Sequence, residues 1–144
     1  MLNFTISLSK IYKDYKFIFR VHPLIKTDKI HYKIKNYKNI FISSHSLKND
    51  LKLCTYVIFR GSATVFEAIK SGLKPIYLKT SEFDINPLHD VYPKILNIKY
   101  EKDLKNVLTI FNNKKINKKL VNYADKYFFK PNFKKLEKFA KNLI

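Results

Sequence analysis

Tyr56-Val57-Ile58-Phe59-Arg60-Gly61-Ser62-Ala63-Thr64-Val65-Phe66-Glu67-Ala68-Ile69-Lys70-Ser71-Gly72-Leu73-Lys74-Pro75-Ile76-Tyr77-Leu78 decides how this chain is read. An apolar run of four residues meets a short polar turn. The apolar spacing then changes to that of a helix face, with Val65, Phe66, Ala68 and Ile69 on one side. Gly72 stands where a helix is expected to close, and a second apolar run follows. The whole predicts strand, tight turn, helix, strand. The chain has only two glycines, Gly61 and Gly72, and both punctuate this segment. Such a turn leaves backbone N–H groups unpaired where the helix begins, which makes an anion site. The N–H groups of Gly61, Ser62 and Ala63, with the hydroxyls of Ser62 and Thr64, are therefore candidate phosphate ligands, and Glu67 a candidate acceptor for ribose hydroxyls. Thr64 and Glu67 also have the spacing of a capping box, and a capped helix would order the same site.

The arginines point the same way. Of 29 basic residues only Arg20 and Arg60 are arginine, and a planar guanidinium suits phosphate better than an ammonium does. Arg60 opens the glycine turn. Arg20 ends an aromatic run and stands two residues before His22-Pro23, where proline restricts the approach of His22. His22 is a second candidate phosphate contact. His89-Asp90 is a weaker candidate, placed in a loop after a strand.

Working outward, residues 2–13 predict a short helix and 16–21 a buried strand. Residues 24–38 read as an irregular polar loop, and 39–42 as a second strand. Ser46 is a candidate N-cap for a helix over 47–53, with Leu47, Leu51 and Leu53 facing inward. Residues 79–93 form a loop, 95–98 an edge strand, and helices follow over 101–112, 116–129 and 133–143. Strands alternating with helices make a single α/β domain over 1–144, a Rossmann-like parallel sheet flanked by helices with further helices at the C-terminal end. Ligands of such sheets sit beyond the carboxyl ends of the strands, where both His22-Pro23 and Arg60-Gly61-Ser62 would lie.

Composition bounds the rest. At 46% hydrophobic and 15% aromatic the chain can bury a core. No run of residues approaches a membrane span, and no secretory leader is evident. The lone Cys54 fits a reducing compartment, and a cytoplasmic location is expected. The histidines show no metal-ligand spacing with Cys54 or each other, so no metal or cofactor is expected. The net charge of +18 invites a nucleic-acid reading, but the lysines are spread along the chain rather than gathered in an arm. Solvated helix faces are the default reading of the C-terminal lysines, and peripheral contact with an anionic inner-membrane surface is the alternative.

Arg20-x-His22-Pro23 after an aromatic strand, followed by Gly61-Ser62-x-Thr64-x-x-Glu67-Ala68-x-x-x-Gly72-x-Lys74-Pro75-Ile76, resembles the C-terminal half of GT-B glycosyltransferases. The similarity is nearest to bacterial surface-carbohydrate enzymes of the capsule polysaccharide, Kdo and polysialic acid type, and covers about residues 2–112. It implies that His22-Pro23 and Ser62-Ala63-Thr64 hold the nucleotide of an activated sugar, CMP- or UDP-linked, and that Glu67 contacts donor ribose or sugar. The donor nucleotide sugar would be substrate rather than cofactor. GT-B enzymes use two such domains, with the acceptor bound by the N-terminal one. The chain has room for the donor half only, which leaves three readings: it is a fragment, its partner is a separate N-terminal-half polypeptide, or it has lost activity; it is expected to be catalytically incomplete alone. A basic nucleic-acid-binding module and a non-catalytic assembly subunit are the alternative readings.

Overall fold

The computed structural model describes residues 1–22, 24–112 and 118–127. The chain runs α1 (Leu2–Ile11), β1 (Phe17–Phe19), α2 (Asp28–Ile34), β2 (Ile40–Ile42), α3 (Leu47–Lys52), β3 (Tyr56–Phe59), α4 (Thr64–Lys70) and β4 (Lys74–Leu78). A 3-10 turn at Lys94–Leu96 leads into β5 (Asn97–Ile98), and α5 (Asp103–Asn112) and α6 (Lys118–Tyr127) follow. Every strand pairing is parallel. β1 pairs with β2, and β3, β4 and β5 form a second ladder in that order. The fold is therefore α/β, with small parallel sheets flanked by helices, an arrangement compatible with a Rossmann-like domain. The expected single sheet is divided: among the described residues no ladder joins β1 to β3.

The core lies where the apolar patterning placed it. Val65, Phe66, Ala68 and Ile69 of α4 are all buried. Val65, Phe66 and Ile69 share a cluster with Ile76 and Leu78 of β4, Val107, Leu108 and Phe111 of α5, and Leu120 and Ala124 of α6, while Ala68 packs with Leu51 and Leu73. Leu8 of α1 is fully enclosed in the same cluster. The side-chain amide of Asn39 donates to the carbonyls of Ser9, Tyr12 and Tyr15 at 3.1–3.3 Å, fixing the end of α1 to the start of β2.

Three expectations need correction. The stretch 24–38 is not wholly irregular, because α2 forms within it. Asp28 sits in its first turn, where a carboxylate favours the helix, and Ile34 supplies its one buried position. With so little apolar surface, the helical period was hidden among lysines. Leu53 does not face inward: α3 ends at Lys52 and Leu53 is exposed, while Leu51 is buried and Leu47 half-buried against Ala68 and Leu73. The edge strand is shorter than 95–98, since the 3-10 turn takes residues 94–96. Ser46 does cap α3, accepting the Asn49 N–H at 3.3 Å. The 133–143 helix, the ends of 116–129 and most of the C-terminal lysines fall outside the described residues.

β5 covers only two positions of β4, Tyr77 and Leu78. Upstream, the Pro75 carbonyl and the Tyr77 N–H would be left unpaired inside the core, at a cost of about 1–3 kcal/mol for each group. The buried hydroxyl of Tyr92 replaces the missing strand. It accepts the Tyr77 N–H at 2.9 Å and lies 2.9 Å from the carbonyls of both Pro75 and Leu96, to which its proton is directed. Burial raises the pKa of this phenol.

Candidate functional site

β3 ends at Phe59, and the chain turns through Arg60, Gly61, Ser62 and Ala63 into α4. Gly61 has φ +67°, a conformation that suits glycine. A Cβ there would stand 3.5 Å from the Ile85 carbonyl, so the loop after β4 lies directly against the turn. Gly72, at φ +88°, ends α4 as its spacing predicts. Ser62 Oγ accepts the Thr64 N–H at 3.3 Å and donates to Thr64 Oγ1 at 2.9 Å. This is not the expected capping box. Thr64 is the first helical residue, its N–H is taken by Ser62, and Glu67 is exposed one turn on. The N–H groups of Gly61, Ser62 and Ala63 make no hydrogen bond among the described residues. Three consecutive N–H groups without a protein partner, with two hydroxyls beside them, are donors of the kind that accept an anion.

Arg60 is held at the mouth of this turn. Its Nε and Nη2 lie 3.1 and 2.8 Å from Asp84 Oδ1. Asp84 Oδ2 accepts the Thr80 N–H at 2.7 Å, the Thr80 hydroxyl at 2.8 Å and the Ser81 N–H at 3.0 Å. These donors hold the Asp84 carboxyl well below the usual range, the Thr80 N–H contributing most and the Thr80 hydroxyl, Arg60 and Ser81 N–H adding to it. The sequence reading missed Asp84. Its signal was Thr80-Ser81 three and four residues before an aspartate, the pattern of a loop closed by side-chain-to-backbone bonds.

Arg20 is committed elsewhere. Its Nη1 lies 2.6 Å from Asp50 Oδ2, 3.2 Å from Ser43 Oγ and 3.0 Å from the His45 carbonyl. Asp50 also accepts a short hydrogen bond from Ser43 Oγ, and its side chain is only 7% exposed. Arg20 thereby ties the end of β1 to the loop after β2. His22 is exposed, and its Nδ1 accepts the Leu24 N–H at 3.3 Å. Pro23 lies outside the described residues. Among those residues no hydrogen bond or ion pair links the Arg20–His22 segment to the Arg60–Glu67 turn.

His89 Nε2 stands 3.0 Å from Asp90 Oδ1, and Asp90 Oδ2 accepts the Tyr123 hydroxyl at 3.2 Å. A small cleft of about 130 Å³ opens between the ends of β4 and β5. Lys79, Thr80, Glu82, Asn97, Lys99 and Asp103 are among the residues lining it, and none of the sequence candidates does. The described residues hold no group of three or more His, Cys, Asp or Glu arranged to bind a metal. Cys54 is half-buried, and burial, then the nearby Asp50 charge, raise its thiol pKa, the opposite of an activated nucleophile. No helix among the described residues is long and apolar enough to cross a membrane.

Compared with known proteins, the chain matches no family model, and no curated protein or solved structure shows significant similarity to it.

Proposed function

We propose that this chain is the donor-binding half of a GT-B-type glycosyltransferase serving surface-polysaccharide or lipid-linked glycan synthesis. The observation that supports it most is the run of three unpaired N–H groups at Gly61, Ser62 and Ala63, beyond the carboxyl end of a parallel strand. In this reading those donors and the Ser62 and Thr64 hydroxyls receive the phosphate of a CMP- or UDP-linked sugar. Stabilising charge on the departing nucleotide is the largest service such a site renders to group transfer. Glu67, exposed one turn along α4, accepts ribose or sugar hydroxyls. Arg60 shapes the mouth of the site, its charge matched by Asp84. His22, whose Nδ1 is occupied, offers Nε2 to the ligand, and Pro23 belongs to the same motif. Arg20 acts by positioning, since its Nη1 is already used by Asp50. Acceptor binding and the general base fall to an N-terminal-half domain, which glycosyl transfer needs.

The test is a thermal-shift titration with CMP, CDP, UDP, GDP and ADP, on the wild type and on Ser62→Ala/Thr64→Ala. A ligand at one hundred times its Kd stabilises the native state by about 2.7 kcal/mol. A shift selective for one pyrimidine nucleotide, reduced in the double variant, is the expected result. A folded protein that responds to none of the nucleotides would overturn the reading in favour of a non-catalytic assembly subunit.

A further inference from the structure

The loop that leans on Gly61 carries two apolar side chains turned away from the protein. Phe83 is 94% exposed and Ile85 is 79% exposed, while the Asp84 side chain between them is only 7% exposed. The alternation is enforced. Asp84 is clamped by Thr80, Ser81 and Arg60, and the Phe83 N–H donates to Ser81 Oγ at 3.2 Å. The loop is thus ordered before it meets anything, and little further entropy is lost when its tip is buried.

The surroundings of this tip indicate what it meets. The cleft between β4 and β5 brings Lys79 and Glu82 against Lys99, and Tyr100 follows. Tyr100 is half exposed, with the ammonium groups of Lys99 and Lys102 each 5.6 Å from its ring centre. The nearby carboxylates are answered internally. Asp84 pairs with Arg60, Glu82 with Lys79 at 2.7 Å, and Asp103 accepts the Lys99 and Tyr100 N–H groups at 2.9 and 2.8 Å. The chain as a whole carries +18. Two side chains fall far short of the roughly 800 Å² that each partner buries in a stable protein interface. They suit the boundary of a bilayer, where an aromatic and an aliphatic tip sink below the headgroups and lysines reach back to anionic phosphate.

We propose that Phe83 and Ile85 form a prong that inserts into an anionic lipid surface, drawn there by the net positive charge of the chain. This places a membrane contact at the loop after β4, and it stands apart from the nucleotide reading.

The chain contains no tryptophan, so Phe83→Trp is a single fluorescent reporter. With vesicles of phosphatidylcholine and phosphatidylglycerol, its emission should shift to the blue and be quenched by lipids brominated on their acyl chains. Vesicles of phosphatidylcholine alone should give little of either, and added salt should weaken binding. In vesicle sedimentation, Phe83→Ser/Ile85→Ser should lower partitioning about tenfold or more. Neither side chain is packed in the fold, so the double variant should keep the wild-type thermal midpoint. Binding with unshifted emission, equal partitioning of the double variant, or no binding to anionic vesicles would each overturn the proposal. So would concentration-dependent self-association abolished by the same pair of substitutions, which would assign the prong to a second copy of the chain.

Discussion

Arg60 presents two of its nitrogens to one oxygen of Asp84, which couples the turn after β3 to the loop after β4. The same carboxylate gathers two backbone N–H groups and a hydroxyl through its other oxygen. The candidate anion site and the exposed prong therefore share one anchor, with the site on one side and the prong on the other.

Acid should loosen that anchor. The folded-state pKa of Asp84 lies below the ordinary value of 3.8, so the unfolded chain takes up the proton first as pH falls. Its stabilising contribution is complete above 3.8 and drains away as the solution is acidified toward the folded value. Asp84→Asn should have a lower thermal midpoint at neutral pH and a shallower loss of stability below pH 3.8 than the wild type. Parallel acid profiles for the two proteins would remove Asp84 from this role.

Tyr92→Phe removes one oxygen and strands the Tyr77 N–H in the core. The expected loss is about 1–3 kcal/mol by urea denaturation, the cost of an orphaned buried donor. The ring contacts with Phe59 and Tyr77 survive the change, so the fold should persist. A loss near zero would mean that water substitutes for the hydroxyl.

Gly61→Ala tests the turn by its conformation. The nearest atom to a new Cβ, the Ile85 carbonyl oxygen, is at an ordinary contact distance, so the penalty is the positive φ itself. About 1–2 kcal/mol of stability should be lost. Nucleotide response should fall further than in Gly72→Ala, which bears the same kind of conformational penalty with open space around it and lies at the far end of α4.

Arg20→Ala leaves the enclosed Asp50 carboxylate without its cation. Stability should fall by about 2 kcal/mol, less than for a fully buried pair because the Arg20 side chain is 41% exposed. Arg20→Lys should recover only part of the loss, since lysine is one atom shorter and its ammonium falls short of the place where Nη1 alone meets Asp50, Ser43 and the His45 carbonyl. Full recovery by lysine would show that charge alone matters there.

The segment from Tyr56 to Leu78 was legible because glycine, apolar period and helix face agreed at each step, and all four inward positions of α4 are buried. α2 was hidden because one buried isoleucine gives almost no periodic signal. The partners of the two arginines were hidden for another reason. Asp50 and Asp84 lie thirty and twenty-four residues further along, and only folding brings them close. The sequence shows each arginine before a turn but not the carboxylate that holds it. The same long-range pairing kept Tyr92 from view as a substitute for a strand.

α1 is fastened to the body at points distant in sequence: Leu8 in the core, the Asn39 amide on three carbonyls, and the Tyr12 hydroxyl 3.4 Å from the Glu101 carbonyl. The peptide joining α1 to β1, by contrast, is exposed from Lys13 to Lys16. A protease cutting at either lysine would sever the chain without freeing the helix, and the two fragments would travel together under native conditions and part only in denaturant.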